Sequence, residues 1–449
     1  MTTTPFLAPL RRTLGSLSEL KEFSTDPCRA MDRLHARHGP VSWLGAGPVR
    51  FALLLGQEST GFVLAHPELF SWQRAFGSLV PLAGPGALLV NDGERHRRLR
   101  RLVQPAFTAR RAAGHTATVR RHVDRVVGAW RAGEVVEVHR QFRFALRDAM
   151  VEILFGPGAL ARADSLRGHL QTIHQAVDAG PLLRKVQGLG TPSWKRAVAA
   201  REAVRCWVAE EGERRRSGGA PAGADVMSTL LAGGAEGVPP LTDDEICDQL
   251  ISFWEAAAET TSATFAWSLY SSLSDRAVWD AIAAEAGSGD DPVAAPNGLS
   301  YVDRVVQETL RLYPATVVVA RAVATEFTFA GQRFPIGTKL LISPYHTHRL
   351  ESLWEEPLRF DPGRWDTTRP DFRKPPPDAF LPFGGGPHRC VGAILATTVV
   401  RTALARVAGR AELRLLHGNA EPSGLIGMRP KHGLTVQVRA VASAREERR

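Results

Sequence analysis

The stretch Phe383-Gly-Gly-Gly-Pro-His-Arg-Cys390-Val-Gly392 decides how this chain is read. Three glycines stand shortly before a lone cysteine. An apolar-periodic segment, predicted to be helical, then runs from Val391 to about Arg410. Glycine has no Cβ, so the backbone here admits the close approach of something flat and bulky. Cys390 sits where that helix begins. The positive end of a helix dipole favours thiolate over thiol. The N–H groups of the first turn have no partner inside the helix and can point at the sulfur. These are the surroundings of a thiolate that binds a metal.

A single thiolate does not suit zinc, which takes four protein ligands or three and a water. It suits haem iron, where the porphyrin supplies four ligands. The other cysteines, Cys28, Cys206 and Cys247, are widely spaced and form no C-x-x-C pair. They read as small buried hydrophobes, with no disulfide framework, and a reducing cytoplasm fits them.

Phe383, the glycine three residues on, the basic His388 and Cys390-x-Gly392 resemble the ligand signature of the cytochrome P-450 haem-thiolate monooxygenases. The resemblance implies haem b held by Cys390, with Phe383, Gly384, His388 and Gly392 around it. It also implies a mainly α fold with a small β portion. In that fold, a triangular prism, the haem lies between an oxygen-binding helix and the cysteine loop.

Other segments extend the resemblance. Glu308-Thr-Leu-Arg311 places an acid and a base at i, i+3 on one helix face, a spacing common on solvated helices. In the family this is a buried structural motif. It is completed by an arginine from a Pro-x-x-Phe-x-Pro-x-Arg-Trp segment, here Pro357 to Trp365, which makes Arg364 the third member. A planar guanidinium can bind carboxylate and backbone together. These three are assigned to folding and haem-site support.

Thr242-Asp-Asp-Glu245 is a capping box that opens a long helix to about Leu273. On it Ser252, Ala256 and Thr260, four apart, make one small-residue face. Alone, that is a tightly packed core helix. By resemblance it is the oxygen helix, with Ala256 against the haem and the Glu259-Thr260 pair in proton delivery. Two positions depart from the family pattern. Ala257 replaces a glycine, and Glu255 replaces an apolar residue, facing the pocket or turned away and paired.

His96 and Arg100 are i, i+4 in an arginine-rich helical segment and can reach one anion. The resemblance assigns them to the haem propionates, together with Arg321 and His388. Arg95, Arg97, Arg98 and Arg101 are either solvated surface or a dock for an acidic electron donor.

Outward from these motifs, the 449 residues read as one domain over 1–449, with β-rich portions near 40–56 and 315–345. A helix is expected from Leu17 to His38, and strands at Val41–Leu44 and Val49–Leu55. Further strands fall at Glu326–Phe329 and Lys339–Ile342, with a turn at Gly331-Gln332, and a helix at Tyr301–Leu312. Loops are expected at 214–223 and 287–299. The longest apolar run is Phe51–Leu55, so no membrane span, anchor or signal peptide is expected. Net charge is +10, and only six of the 56 basic residues are lysine. Nucleic acid, an acidic partner, an anionic membrane or arginine-rich coding bias would each account for that. No nucleic-acid-binding signature accompanies the charge.

The implied reaction is insertion of one oxygen atom from dioxygen into a lipophilic substrate of terpenoid, fatty-acyl, steroid or polyketide-like class. The pocket is expected from Phe70–Leu82, the oxygen helix, Ala315–Val319 and Leu425–Met428. Electrons are expected from an acidic ferredoxin and an NAD(P)H-dependent ferredoxin reductase, and a cytoplasmic monomer is expected. The alternatives are a peroxide-driven peroxygenase, a haem-thiolate isomerase or dehydratase, and a non-enzymatic haem sensor.

Overall fold

Asp243–Ser274, a helix of 32 residues, runs through the largest apolar cluster. Its start is the expected capping box. Thr242 Oγ1 accepts from the Glu245 N–H at 3.2 Å, and the Glu245 carboxylate accepts from the Thr242 N–H at 3.1 Å. Trp254, Phe265 and Trp267 are fully buried along it. The computed structural model describes residues 7–157, 159, 164–178, 190–218, 223–234, 237–287, 299–418 and 420–442.

Eight helices position the site. They are α1 (Gly93–Val103), α2 (Thr116–Val127), α3 (Val138–Phe155), α4 (Asp164–Asp178), α5 (Pro192–Arg216), α6 (Asp243–Ser274), α7 (Tyr301–Leu312) and α8 (Ala393–Arg410). Helix α6 packs against α3, α5, α7 and α8. The apolar stripes of these neighbours leave no solvated face over most of its length.

The β portion is small. One sheet has the strand order 41–44, 51–54, 339–342, 319–323, 70–71. Its Phe51–Leu54 and Lys339–Ile342 strands are parallel, with Leu53 opposite Leu341, and its other pairs are antiparallel. A three-stranded sheet joins 135–137, 435–441 and 411–415.

Local chemistry shifts some expected boundaries. The first helical stretch is two helices, Leu7–Thr25 and Pro27–His38. Pro27 supplies no N–H to continue a helix, and the Asp26 side chain caps the second by accepting from the Arg29 N–H. The turn of the 327–334 hairpin falls on Ala330-Gly331, both at positive φ, one residue earlier than expected. Tyr301–Leu312 and Lys339–Ile342 have the expected bounds. The expected loop at 287–299 falls mostly outside the described residues, as do residues 219–222 of the loop expected at 214–223.

Candidate active site

The cysteine loop is built on glycine. Gly384 and Gly386 have φ of +66° and +68°, which side chains disfavour. A Cβ on Gly385 would sit 2.7 Å from the Leu64 side chain. The loop closes where the Cys390 N–H donates to the Phe383 carbonyl at 2.9 Å. Helix α8 begins at Ala393, two residues later than expected, with Gly392 as its N-cap. The Gly392 N–H still reaches back to the sulfur. Burial pushes the Cys390 thiol up, opposed by that donor and by the charges of Arg100 and Arg389. The residue is nevertheless accessible.

Helix α6 has an accessible stretch of its own. Ala256 is exposed, and Phe253, Ala257 and Thr260 are half-buried, although their neighbours along the helix are buried. Thr260 Oγ1 donates to the Ala256 carbonyl at 2.7 Å. Ser252, expected on this face, is buried.

A cluster of basic side chains adjoins the cysteine loop. The His96 and His388 rings lie 3.9 Å apart, and Trp72 stacks on His388 at 4.5 Å. The Arg321 guanidinium lies 4.1 Å over the Trp72 ring, and its hydrogen bond goes to the neighbouring Ala320 carbonyl at 2.8 Å. Arg100 donates to the Arg389 carbonyl at 2.7 Å. Burial lowers the pKa of Arg321 to about 9. Burial, with the charges of His388 and Arg100, lowers that of His96 to about 4. His96 Nε2 is buried and has no hydrogen-bond partner among the described residues. Asp92 faces His388 at 3.3 Å. Burial would raise its pKa, but hydrogen bonds from His388, Ser71 and two backbone N–H groups hold it well below the usual carboxylate range. A buried orphan donor and a guanidinium with no hydrogen-bonded carboxylate among the described residues are what a pair of ligand carboxylates would satisfy. With an accessible cysteine beside this cluster and an accessible small-residue stretch on α6, the residues fit a haem.

The family model for cytochrome P-450 matches residues 7–437. The chain belongs to the cytochrome P-450 family. It is 37% identical over 424 residues to the putative cytochrome P-450 139 of Mycobacterium tuberculosis, covering 92% of this chain and 98% of that one. It is 32% identical over 389 residues to the cyclooctat-9-en-7-ol 5-monooxygenase of Streptomyces melanosporofaciens, covering 85% and 84%. The retinoic-acid-bound cyanobacterial CYP120A1 shares the fold at a TM-score of 0.76 and 22% identity, over 91% of this chain and 94% of that one. As a P-450, the chain is a monooxygenase-family enzyme whose cofactor is a thiolate-ligated haem. No helix among the described residues is long and apolar enough to cross a membrane.

Around the P-450 site the structure brings most of the expected residues together and adds others. Glu308 and Arg311 are fully buried and paired through two hydrogen bonds of 2.8 and 2.9 Å. Arg311 also donates to the carbonyls of His348, Pro357 and Arg359. Arg364 reaches Glu308 at 3.4 Å. Trp365 was not singled out by sequence, yet its indole N–H donates to Glu308 at 2.9 Å. Only its place in the Arg364-Trp365 segment hinted at this.

Glu259 is held by arginines that sequence reading missed. Arg147 donates to its Oε2 at 2.7 Å and Arg143 at 3.0 Å, both from α3. Glu255 is paired, with His174 of α4 at 2.9 Å. The arginine-rich helix α1 also divides differently. Arg98 turns inward, donating to the Glu245 carboxylate and to the carbonyls of Pro239 and Pro240. Arg97 pairs with Glu94, while Arg95 and Arg101 are exposed.

The expected pocket segments converge in part. Val317 donates its N–H to the Leu425 carbonyl, and Met428 donates to that of Ala315. These bonds join 315–317 to 425–428. Gly427 lies close against Glu259, where a Cβ would meet the Glu259 Cγ at 2.6 Å.

Proposed function

We propose that this P-450 inserts one oxygen atom from dioxygen into a lipophilic small molecule, with electrons from an acidic ferredoxin and an NAD(P)H-dependent reductase. The observation that carries the reading is an accessible Cys390 together with the Glu259-Thr260 pair on the accessible stretch of α6. When bound, haem supplies reductive activation of dioxygen, and the Cys390 thiolate favours O–O cleavage. His96, Arg100, Arg321 and His388 would hold its carboxylates by charge-assisted hydrogen bonds. Phe383, Gly384 and Gly392 shape the thiolate side, and Ala256 lets the macrocycle lie against α6. Thr260 presents a hydroxyl that orders the proton donor. Glu259 supplies the proton, with Arg143 and Arg147 fixing its carboxylate. Glu308, Arg311 and Arg364 keep the cysteine loop and α7 in register.

The apolar segments 315–317 and 425–428 support a lipophilic substrate of terpenoid, fatty-acyl, steroid or polyketide-like class. So does the streptomycete relative, named for its action on an unsaturated alcohol. All four cysteines are unpaired, which supports a cytoplasmic setting. The family match over 7–437 supports a single domain, and we take the chain to act as a monomer.

The test begins with the purified haem protein and a panel of lipophilic compounds, read by the shift in iron spin state. Hits are then turned over with ferredoxin, reductase and NAD(P)H. Oxygenated product that requires both NAD(P)H and dioxygen is the expected result. Product formed on peroxide alone, with none from NAD(P)H, would make the protein a peroxygenase instead.

A further inference from the structure

Glu255 stands where the family pattern has an apolar residue, and the reaction as described makes no use of it. It lies one helical turn before Glu259 on α6, so the two carboxylates share a face. Between them stands His174, itself buried, from α4. Its Nδ1 is 2.9 Å from Glu255 Oε2, and its Nε2 is 3.9 Å from Glu259 Oε2. The imidazole therefore has one nitrogen toward each acid. Oε1 of Glu255 and Oε1 of Glu259 are both buried without a hydrogen-bond partner among the described residues. Glu259 Oε1 has only Arg429 near it among the described residues, at 4.0 Å, and Glu255 Oε1 is left without a partner, so packing alone does not account for Glu255.

We propose that Glu255 and His174 form a buried proton relay that feeds Glu259. The proposal rests on the role of Glu259 given above. In the step, Glu255 gives its proton to His174 Nδ1, and the proton on Nε2 passes to the Glu259 carboxylate. A small rotation of the imidazole closes the 3.9 Å gap. Glu255 is left ionised and His174 neutral, now protonated on Nδ1. One proton from solvent then enters at Nε2, and the Nδ1 proton returns to Glu255. The net result is one proton moved from solvent to Glu259, with both relay groups restored.

The charges around the relay suit this order. Burial raises the pKa of Glu255, opposed by His174 and Arg147, and the exposed Asp178 of α4 raises it further. Glu255 is thus biased toward holding a proton. Glu259 instead accepts from Arg143 and Arg147, with Arg429 at 4.0 Å. His139 of α3 is the remaining titratable neighbour among the described residues, and burial lowers its pKa. Glu255 and His174 act through Glu259 and are positioning residues, not groups that touch the reacting atoms.

Two measurements on the haem-loaded enzyme test the relay. The first is infrared spectroscopy in the carboxylic-acid carbonyl region at neutral pH. A band from a buried protonated carboxyl should be present, lost in Glu255→Gln and kept in Glu259→Gln. The second uses dioxygen alone as the probe, with NADPH, an acidic ferredoxin and its reductase, and reads the share of consumed oxygen released as peroxide. Glu255→Gln and His174→Asn should raise that share and lower the solvent deuterium isotope effect, in the same direction as Glu259→Gln. The Glu255→Gln/Glu259→Gln double variant should be no worse than Glu259→Gln, because both lie on one path. His174→Asn keeps a donor toward Glu255 but cannot pass a proton. If it fails to load haem, Glu255→Gln carries the test. No infrared band, or a band unaffected by Glu255→Gln, overturns the relay. A peroxide share moved by Glu259→Gln but not by the other two overturns the relay and leaves the role of Glu259 standing. If none of the three moves it, the role of Glu259 falls as well.

Discussion

Arg321 lays its guanidinium 4.1 Å from the centre of the Trp72 ring, with no carboxylate hydrogen-bonded to it. Strand 319–323 delivers the arginine, and the short helix at Trp72–Phe76 delivers the ring. A buried cation held by a ring face and one carbonyl, with Asp92 as its nearby countercharge, is only partly compensated. An anion supplied with the cofactor, as proposed for the haem carboxylates, would complete its compensation. Arg321→Leu should therefore leave the haem-free protein as stable as before, or more so, while haem is lost faster. Transfer of haem to an excess of apomyoglobin measures the second effect, and thermal unfolding of the haem-free protein the first. Unchanged haem loss would remove Arg321 from the propionate set.

Cys390→Ser replaces a thiolate with a neutral hydroxyl and removes the electron push on the iron. The reduced carbon monoxide adduct should lose its far-red-shifted Soret band, and oxygenation should cease. The loop itself should persist, since its closing bond uses the backbone N–H of residue 390. A variant that keeps the shifted band would show that the ligand lies elsewhere.

Glu308 accepts from Arg311, from the Trp365 indole and from the Asp361 backbone N–H, all in the interior. Glu308→Ala strands the fully buried Arg311 without its carboxylate. Breaking one side of such a pair costs roughly 3–5 kcal/mol. Denaturant unfolding of the haem-loaded protein should show a loss of that size, and haem content after expression should drop with it. Glu308→Gln, which keeps the shape and can still accept, should fall between.

Positive charge on α1 separates into two classes. Arg95 and Arg101 are exposed, and their reversal to Glu should slow reduction by an acidic ferredoxin and flatten its salt dependence. Such steering is screened over a Debye length of about 8–10 Å. Dithionite reduction should not change. Arg98→Glu should behave differently, because it places a carboxylate against Glu245 at the start of α6 and removes the donor to Pro239 and Pro240. Its main effect should be lower thermal stability. Stopped-flow reduction across a salt series, beside melting curves, distinguishes the two. If Arg95 and Arg101 reversal leaves both rate and salt slope unchanged, the basic excess is compositional.

Local chemistry made much of this protein legible from sequence. The glycines before Cys390, the capping box at Thr242, the i, i+3 pair Glu308–Arg311 and the small face at Ala256 and Thr260 depend on residues a few positions apart. Turn geometry and helical period are short-range properties of the backbone, so a sequence displays them directly. Arg364 was implied instead by the family resemblance of the Pro357–Trp365 segment. Where local chemistry was read too coarsely, boundaries moved, as at Pro27 and at the Ala393 start of α8.

Tertiary structure alone decided which charged side chains are buried, and with whom. Arg143 and Arg147 stand 116 and 112 residues from Glu259, His174 stands 81 from Glu255, and Arg98 stands 147 from Glu245. In a chain this rich in arginine, a helix that buries its cations shows the same spacing as one that solvates them. Trp72 lies in the Phe70–Leu82 segment, and only the sheet places Arg321 over it. The difference between a solvated and a buried cation lies in desolvation and pairing. Both depend on what the neighbouring helices bring within a few ångströms, and no periodicity along one segment records that.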